Sequence, residues 1–165
     1  MKTYQLTNNQ LELYVQPSSK IGRGFLAFLG IAIFVAPILG MLLGLSLGAE
    51  FHIMYVVGIG VSSLVAYHFY KLYYWNTCGK EVITITNNKI NYHADYGKFV
   101  SNKQEHNFED LSFYVKPVGY ENEQLGVLVI EITENKRIET VAVLPEETLN
   151  EIIEKLLNNV FVKGL

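Results

Sequence analysis

Two long stretches without a charged residue constrain this chain more than any other feature of its sequence. Residues 24–49 contain no Asp, Glu, Lys or Arg, residues 51–70 contain none either, and only Glu50 separates the two stretches. A helix needs about 20 apolar residues to cross the hydrocarbon core of a bilayer, and its backbone amides must be paired within the segment. The sequence therefore predicts a transmembrane hairpin over residues 21–76, with spans at 24–49 and 51–74.

The basic residues that flank these stretches predict the orientation of the hairpin. Lys20 and Arg23 precede the first span, Lys71 and Lys80 follow the second, and the loop between the spans carries only Glu50. Because Lys and Arg favour the cytoplasmic side of a membrane, we expect both termini to be cytosolic. We therefore expect a multi-pass protein of the cell inner membrane, which contacts the lipid bilayer as one of its partners.

Composition excludes several other classes of protein. The chain has 165 residues, a net charge of −3 and a single cysteine, and half of its residues are apolar. A chain this apolar is not disordered, and one cysteine cannot build a disulfide framework. A nucleic-acid polymer is not an expected partner, because binding to its phosphates relies on excess positive charge.

Outside the apolar stretches, hydrophobic residues alternate with polar ones, as they do in strands with one covered face. Residues 1–17 show this period on both sides of Asn8-Asn9, so we expect a strand pair that completes the soluble domain from the far side of the hairpin. Residues 82–95 show it on both sides of Asn87-Asn88, which is a hairpin signal. The segment 99–108 predicts a further short hairpin.

The remaining part of the segment 80–165 predicts more strands and one helix. Residues 111–117 form a predicted strand, and 125–132 and 137–144 form a predicted hairpin around Thr133-Glu134-Asn135-Lys136. Apolar residues then recur every three or four positions over 145–160, which indicates an amphipathic helix. The predicted fold class is an α+β membrane protein, with a two-helix transmembrane hairpin and a small antiparallel β-barrel or sandwich that the C-terminal helix caps.

Three glycines in the first span predict close helix packing. Gly40, Gly44 and Gly48 are spaced four residues apart, and small residues at this spacing let a second helix approach closely. The partner is either the second helix of the same chain, or a second copy of the chain, which would give a homo-oligomer through the transmembrane helices. Both alternatives are open at the level of sequence.

Catalytic signatures are absent from the sequence. It has no zinc-protease, phosphate-loop, serine-elbow or Cys-x-x-Cys motif, so we predict that the protein is not an enzyme and needs no cofactor. His93 and Asp95 share one face of a predicted strand, but two ligands without a third do not indicate a metal site.

The order of these elements resembles that of uncharacterised bacterial two-span membrane proteins with a PH-like domain. The most specific match follows the second span: Trp75, then Gly79-Lys80-Glu81, then VITITNNKINY, then Gly97-Lys98-Phe99. The resemblance implies a PH-like barrel of about seven strands that a helix caps. Such domains serve lipid, peptide and protein binding alike, so the resemblance does not identify a ligand.

Several functions are consistent with this organisation. The first is a membrane-anchored cytosolic binding or scaffold module that recognises an unknown protein or small-molecule ligand at the inner membrane face. The second is an antiphage effector that permeabilises the membrane when it binds a cyclic nucleotide, and the third is a toxin immunity protein. The candidate ligand-binding residues are aromatic rings that could stack on a ligand and basic residues scattered among the strands: Tyr92, Tyr96, Lys98, Lys103, Tyr114 and Lys116.

Overall fold

The computed structural model divides the chain into two units, one of strands and one of helices. The strand unit comprises residues 1–16 and 78–165, and the helix unit comprises residues 17–77. The structure describes residues 3–7, 9–86, 88–120, 123–133 and 136–161. Three predicted turns include residues outside these ranges, namely Asn8, Asn87, Glu134 and Asn135.

The helix unit contains two long helices, α1 (Lys20–Ser46) and α2 (Ile53–Cys78). Ser19 caps the start of α1, where its hydroxyl accepts a hydrogen bond from the amide of Gly22 at 3.1 Å. Gly48, with φ of +88°, ends the helix in the left-handed conformation that glycine tolerates best. Both helices are long and apolar enough to cross a membrane, and no described residue of either helix is buried.

The strand unit begins with a five-stranded antiparallel sheet, sheet A, that includes strands from both sides of the helix unit. β2 pairs with β3 in the register Leu11↔Ile83 and Leu13↔Glu81, so the N-terminal strand pair lies in the same sheet as the strands that follow α2. The strand order follows the chain: β1 (Tyr4–Thr7), β2 (Gln10–Tyr14), β3 (Lys80–Thr86), β4 (Lys89–Asp95) and β5 (Val100–Asn107).

The second sheet, sheet B, is built around one long strand, β7. Strands β6, β8 and β9 all pair with β7 in antiparallel fashion, and the C-terminal helix α3 contacts β6, β7 and β9. The bounds are β6 (Ser112–Val118), β7 (Leu125–Thr133), β8 (Lys136–Glu139), β9 (Leu144–Pro145) and α3 (Glu146–Phe161).

One hydrophobic core holds both sheets and α3 together. Leu13 of sheet A, Leu128 of sheet B and Ile152 of α3 have no exposed surface and belong to the same buried cluster. Burial of each such side chain contributes about 1.5–3 kcal/mol before the loss of chain entropy is deducted. The strand unit is therefore one folded domain, although its sequence is interrupted by the helix unit.

The predicted α+β class with antiparallel sheets is confirmed, but three finer predictions are wrong. Among the described strands, no pairing joins sheet A to sheet B, so the sheets do not close into a barrel. The segment 99–108 forms one strand along β4 rather than a hairpin. The predicted strand 137–144 is interrupted after Glu139, because the amides of Val141 and Ala142 donate to Glu81, and pairing with β7 resumes at Leu144.

Candidate functional site

The most unusual side chain of the strand unit is a carboxylate in its core. Glu81 has no exposed surface, and three groups donate hydrogen bonds to it. The Tyr92 hydroxyl lies 2.5 Å from its Oε1, and the backbone amides of Val141 and Ala142 lie 2.9 Å and 2.7 Å from its Oε2. Buried carboxylates are rare unless they are hydrogen-bonded in this way. Because two of the three donors are backbone amides of residues 141 and 142, Glu81 fixes the position of the segment 140–143 against β3.

These hydrogen bonds connect the two sheets. Glu81 lies on β3 of sheet A, whereas the segment 140–143 joins β8 to β9 on sheet B. We call this segment the strap. Thr140 fastens its beginning, because its amide donates to the Leu128 carbonyl at 2.9 Å and its hydroxyl accepts from the Leu128 amide at 3.0 Å. The strap is therefore held at successive residues by β7 and by Glu81.

Burial controls the protonation of both side chains in this pair. It raises the pKa of the Glu81 carboxyl above the ordinary 4.5, against the opposing effect of the three hydrogen bonds. Burial and the neighbouring Glu81 charge also raise the pKa of the Tyr92 hydroxyl, so Tyr92 remains a donor at neutral pH. Tyr92 is only 2% exposed, which means that its ring is packed in the core and is not open to a ligand.

A second polar cluster lies on the outer face of sheet A, at the end of the sheet next to the chain connections with the helix unit. Lys80 forms ion pairs with Glu12 at 2.9 Å and with Asp95 at 3.8 Å. The Tyr14 hydroxyl donates to Glu12 at 2.6 Å. The hydrogen bonds that the Lys80 ammonium and the Tyr14 hydroxyl donate to Glu12 are the main reason why the pKa values of both groups are raised. This cluster ties β2 to β3 and β4.

Two of the predicted ligand-binding residues lie in the turn between β4 and β5. Tyr96 stacks on Phe99 with ring centroids 4.7 Å apart, and the Tyr96 amide donates to the Phe99 carbonyl at 2.9 Å. Lys98 is exposed in the same turn. Gly97 has φ of +83°, and a Cβ there would lie 2.7 Å from the sulfur of Cys78, which belongs to the same strand unit, so the turn packs closely on Cys78. One face of the Tyr96 ring is therefore occupied.

The other candidates lie elsewhere in the strand unit. Lys103 is exposed in a bulge of β5, where Asn102 and Lys103 lie opposite the single residue His93. Tyr114 and Lys116 share the outer face of β6 in sheet B. The six predicted residues therefore lie in the core, in one turn, in one bulge and on one sheet face, and the structure does not bring them together into one site.

On the outer face of sheet B, two of the predicted ligand-binding residues, Tyr114 and Lys116, lie beside polar side chains of β7 and β8. Tyr114 is 40% exposed, and Lys116 pairs with Glu139 of β8 at 2.7 Å, across the buried residues of β7. That ion pair is the main reason why the pKa of the Glu139 carboxyl is lowered. The register places Ser112, Glu131 and Arg137 in a neighbouring row on the same face. This face combines an exposed aromatic ring with charges of both signs.

The three glycines of α1 do not form a single helical face. Gly48 lies beyond the end of α1, and a Cβ built on Gly40 would meet nothing within 4 Å. A Cβ on Gly44 would lie 3.0 Å from the hydroxyl of Tyr55 on α2. Of the two alternatives for this face, packing within the chain therefore applies at Gly44, whereas Gly40 is open on its outer side.

We expect replacement of Gly44 by leucine to reduce the yield of folded monomer several-fold, because the new side chain must displace Tyr55. Gly40→Leu is the matched control, since it adds the same side chain one turn away where the helix has room. Size-exclusion chromatography of the detergent-solubilised protein measures both yields. Equal monomer yields for the two variants would contradict close packing at Gly44, and loss of crosslinked oligomers in Gly40→Leu alone would indicate an oligomer contact there.

Sequence reasoning did not assign a role to Glu81, Glu12 or Asp95. The signal for Glu81 was present, because it alternates with Ile83 and Ile85 and therefore lies on the covered face of β3. Two of its three hydrogen-bond donors, the amides of Val141 and Ala142, lie 60 and 61 positions away in the sequence, and no local pattern indicates them. Among the residues that the structure describes, no group of three or more His, Cys, Asp or Glu side chains could hold a metal ion.

Comparison of the chain with models of protein families and with curated proteins gives no match.

Proposed function

We propose that this protein is a membrane-anchored binding or scaffold module, in which a PH-like domain recognises a protein or small ligand at the inner face of the bacterial inner membrane. The observation that supports this function most directly is the pairing of β2 with β3. Strands that precede and follow the two helices belong to one domain, so the helices return the chain to the side of the membrane that it left.

Backbone contacts at the ends of the helices support this topology. The Val15 amide donates to the Gly79 carbonyl at 3.0 Å within the strand unit, and the Ser18 amide donates to the Asn76 carbonyl at 3.3 Å within the helix unit. The chain segments that lead into α1 and out of α2 are therefore adjacent. Large apolar side chains along both helices are exposed, among them Phe28 at 66% and Leu64 at 72%, and lipid would cover such surfaces.

The distribution of charge supports a cytosolic location for the domain. Lys20, Arg23 and Lys71 lie near the ends of α1 and α2 that connect to the strand unit, whereas the loop between the helices carries Glu50. Positive residues favour the cytoplasmic side. A PH-like assignment is supported by the order of strands followed by one helix, with α3 packed on sheet B.

The outer face of sheet B is the surface that best fits a protein partner. Exposed tyrosine and arginine side chains are enriched at interfaces, and this face presents both Tyr114 and Arg137 beside the Lys116–Glu139 pair. The cyclic-nucleotide effector is less well supported, because Tyr92 is buried and Gly48 lies outside α1.

A photocrosslinking amino acid at position 114 tests this function in native membranes. We expect a discrete protein adduct from position 114, because the ring lies at the centre of the proposed contact. Tyr120 is the matched control, since it is 82% exposed but lies in the loop before β7. The proposal predicts that Arg137→Ala weakens the adduct at least several-fold. No adduct at position 114 above the level at position 120 would contradict recognition by this face.

A further inference from the structure

A groove of about 680 Å³ lies within the helix unit, between α1 and α2. The helices pack closely at Gly30, where an added Cβ would lie 3.4 Å from the Phe69 Cβ and 3.7 Å from the Ala66 carbonyl. Small residues such as Ala27 and Ser63 leave space beside this contact, and larger rings border it. The lining is apolar apart from Ser63 and four tyrosines: Tyr67, Tyr70, Tyr73 and Tyr74.

The length of the groove matches one leaflet of a bilayer. Its lining on α1 runs from Leu26 to Phe34, which is about 12 Å at the 1.5 Å rise of an α-helix. Half of a hydrocarbon core of about 30 Å is about 15 Å. An acyl chain of a lipid in the same leaflet can therefore lie along the groove, whereas a spanning helix would extend well beyond it.

Arg23 lies on the same stripe of α1, about one turn before the lining residue Ala27. Positions 23, 27, 30 and 34 are three or four residues apart and share one face of the helix. Among the described residues, the buried Arg23 Nε and the buried Ser18 Oγ have no hydrogen-bond partner. A buried polar atom without a partner costs about 1–3 kcal/mol, so an acceptor oxygen that reached either atom would be stabilised.

The charge at this end of the helix unit is entirely positive. Lys20, Arg23 and Lys71 lie near it, and Glu50, the one acidic residue in the sequence from 17 to 77, lies in the loop at the opposite end of the helices. A phosphate carries the negative charge that complements these side chains, and its oxygens accept hydrogen bonds from a guanidinium and a hydroxyl.

We propose that the groove binds one anionic glycerophospholipid, with an acyl chain between the helices and the phosphate at Arg23 and Ser18. This site rests on the proposed function only in that α1 and α2 must span the membrane. The proposed site binds one lipid at a defined position, whereas the proposed function requires only general contact with the bilayer.

Native mass spectrometry of the full-length protein tests the site. The protein is equilibrated with vesicles of equal phosphatidylglycerol and phosphatidylcholine content and is then released into mild detergent. We expect one retained phosphatidylglycerol per chain, with a preference of about tenfold, which corresponds to about 1.4 kcal/mol. Arg23→Gln should abolish the preference. Lys20→Gln, which removes the same charge from an exposed position, should retain most of it.

A second pair of variants tests the groove independently of charge. Ala27→Phe should fill the groove and reduce the retained lipid several-fold, whereas Ala36→Phe places the same ring outside the groove and should not. Equal retention of the two lipids by the wild type would overturn the site, as would unchanged retention in Ala27→Phe. Loss of crosslinked dimers in Ala27→Phe with unchanged lipid would also overturn it and would indicate a second copy as the occupant.

Flotation of the same vesicles separates failure of this site from failure of the proposed function. A chain that floats with the vesicles but shows no lipid preference contradicts the lipid site alone. A chain that does not float contradicts the membrane anchor as well, and with it the lipid site.

Discussion

Replacement of Glu81 by alanine is expected to lower the free energy of unfolding of the strand unit by about 4 kcal/mol, because two backbone amides and one hydroxyl lose their acceptor and each such loss costs about 1–3 kcal/mol. The donors are Val141, Ala142 and Tyr92. Domains of this size are stable by about 5–15 kcal/mol in total. Pulse proteolysis of the full-length protein across a urea series measures the change.

Two variants control for this substitution. Glu81→Gln retains one acceptor oxygen and should cost less than Glu81→Ala. Glu105→Ala removes a carboxylate from an exposed pair with Lys89, and exposed pairs contribute at most about 1 kcal/mol. Equal losses for Glu81→Ala and Glu105→Ala would show that the buried carboxylate does not hold the strap.

The protonation of Glu81 gives a pH dependence with a defined sign. Because burial raises its pKa in the folded domain above 4.5, the folded state binds more protons than the unfolded state between the two values. In that window the contribution of Glu81 to stability falls as pH rises. Glu139 has a lowered pKa because of Lys116, and it acts in the opposite sense below 4.5. The stability of the wild type relative to Glu81→Gln should therefore decrease as pH rises from 4.5 through the raised pKa of Glu81 in the folded domain.

Deletion of residues 1–15 is expected to unfold most of the strand unit, although the deleted segment lies on the far side of the helices in the sequence. The deletion removes β1 and β2, including Leu11 and Leu13, which are 1% and 0% exposed. Loss of each buried leucine costs about 2–5 kcal/mol, and the deletion also exposes the edge of β3. Limited proteolysis should then cleave residues 78–165 at least tenfold faster.

Single substitutions separate this effect from nonspecific damage by the deletion. Leu13→Ala should accelerate cleavage of residues 78–165, whereas Thr7→Ala, at an exposed position of β1, should not. An unchanged cleavage rate after the deletion would show that the domain does not depend on its N-terminal strands.

Local patterns of sequence indicated most of the secondary structure. The spans predicted at 24–49 and 51–74 correspond to helices at Lys20–Ser46 and Ile53–Cys78. The boundaries differ by a few residues, because the Ser19 cap starts α1 before the apolar run and Gly48 ends it early. Sequence reasoning placed the N-terminal strands in the soluble domain, and in the structure β2 pairs with β3.

Local sequence patterns did not predict the contacts between segments that are distant in the sequence. The strand predicted over 137–144 has the right alternation, but the amides of Val141 and Ala142 donate to Glu81 instead of pairing with β7. The segment 99–108 contains Asn102 with φ of +52°, which is typical of a turn, yet the chain absorbs it as a bulge and continues along β4. Closure of the barrel likewise depends on which strand edges meet, and alternation does not specify this.

For the candidate site residues as well, local patterns predicted burial but not the contacts between distant segments. Period two places Tyr92 on the covered face of β4, so its burial could be predicted from the alternation. The ion pair between Lys116 and Glu139 depends on the register of three strands. Arg23, by contrast, was recognised only as a flanking charge, since its position relative to the groove depends on how α1 packs against α2.

The central claim is that one cytosolic domain is interrupted by a membrane hairpin, and reporter fusions at both ends of the full-length chain test it most directly. A reporter that is active only in the cytosol and one that is active only outside the inner membrane are each fused at residue 1 and at residue 165. Because β2 and β3 must meet on one side, and the flanking Lys and Arg favour the inside, both ends should give the cytosolic signal alone. An external signal from either end would contradict the account.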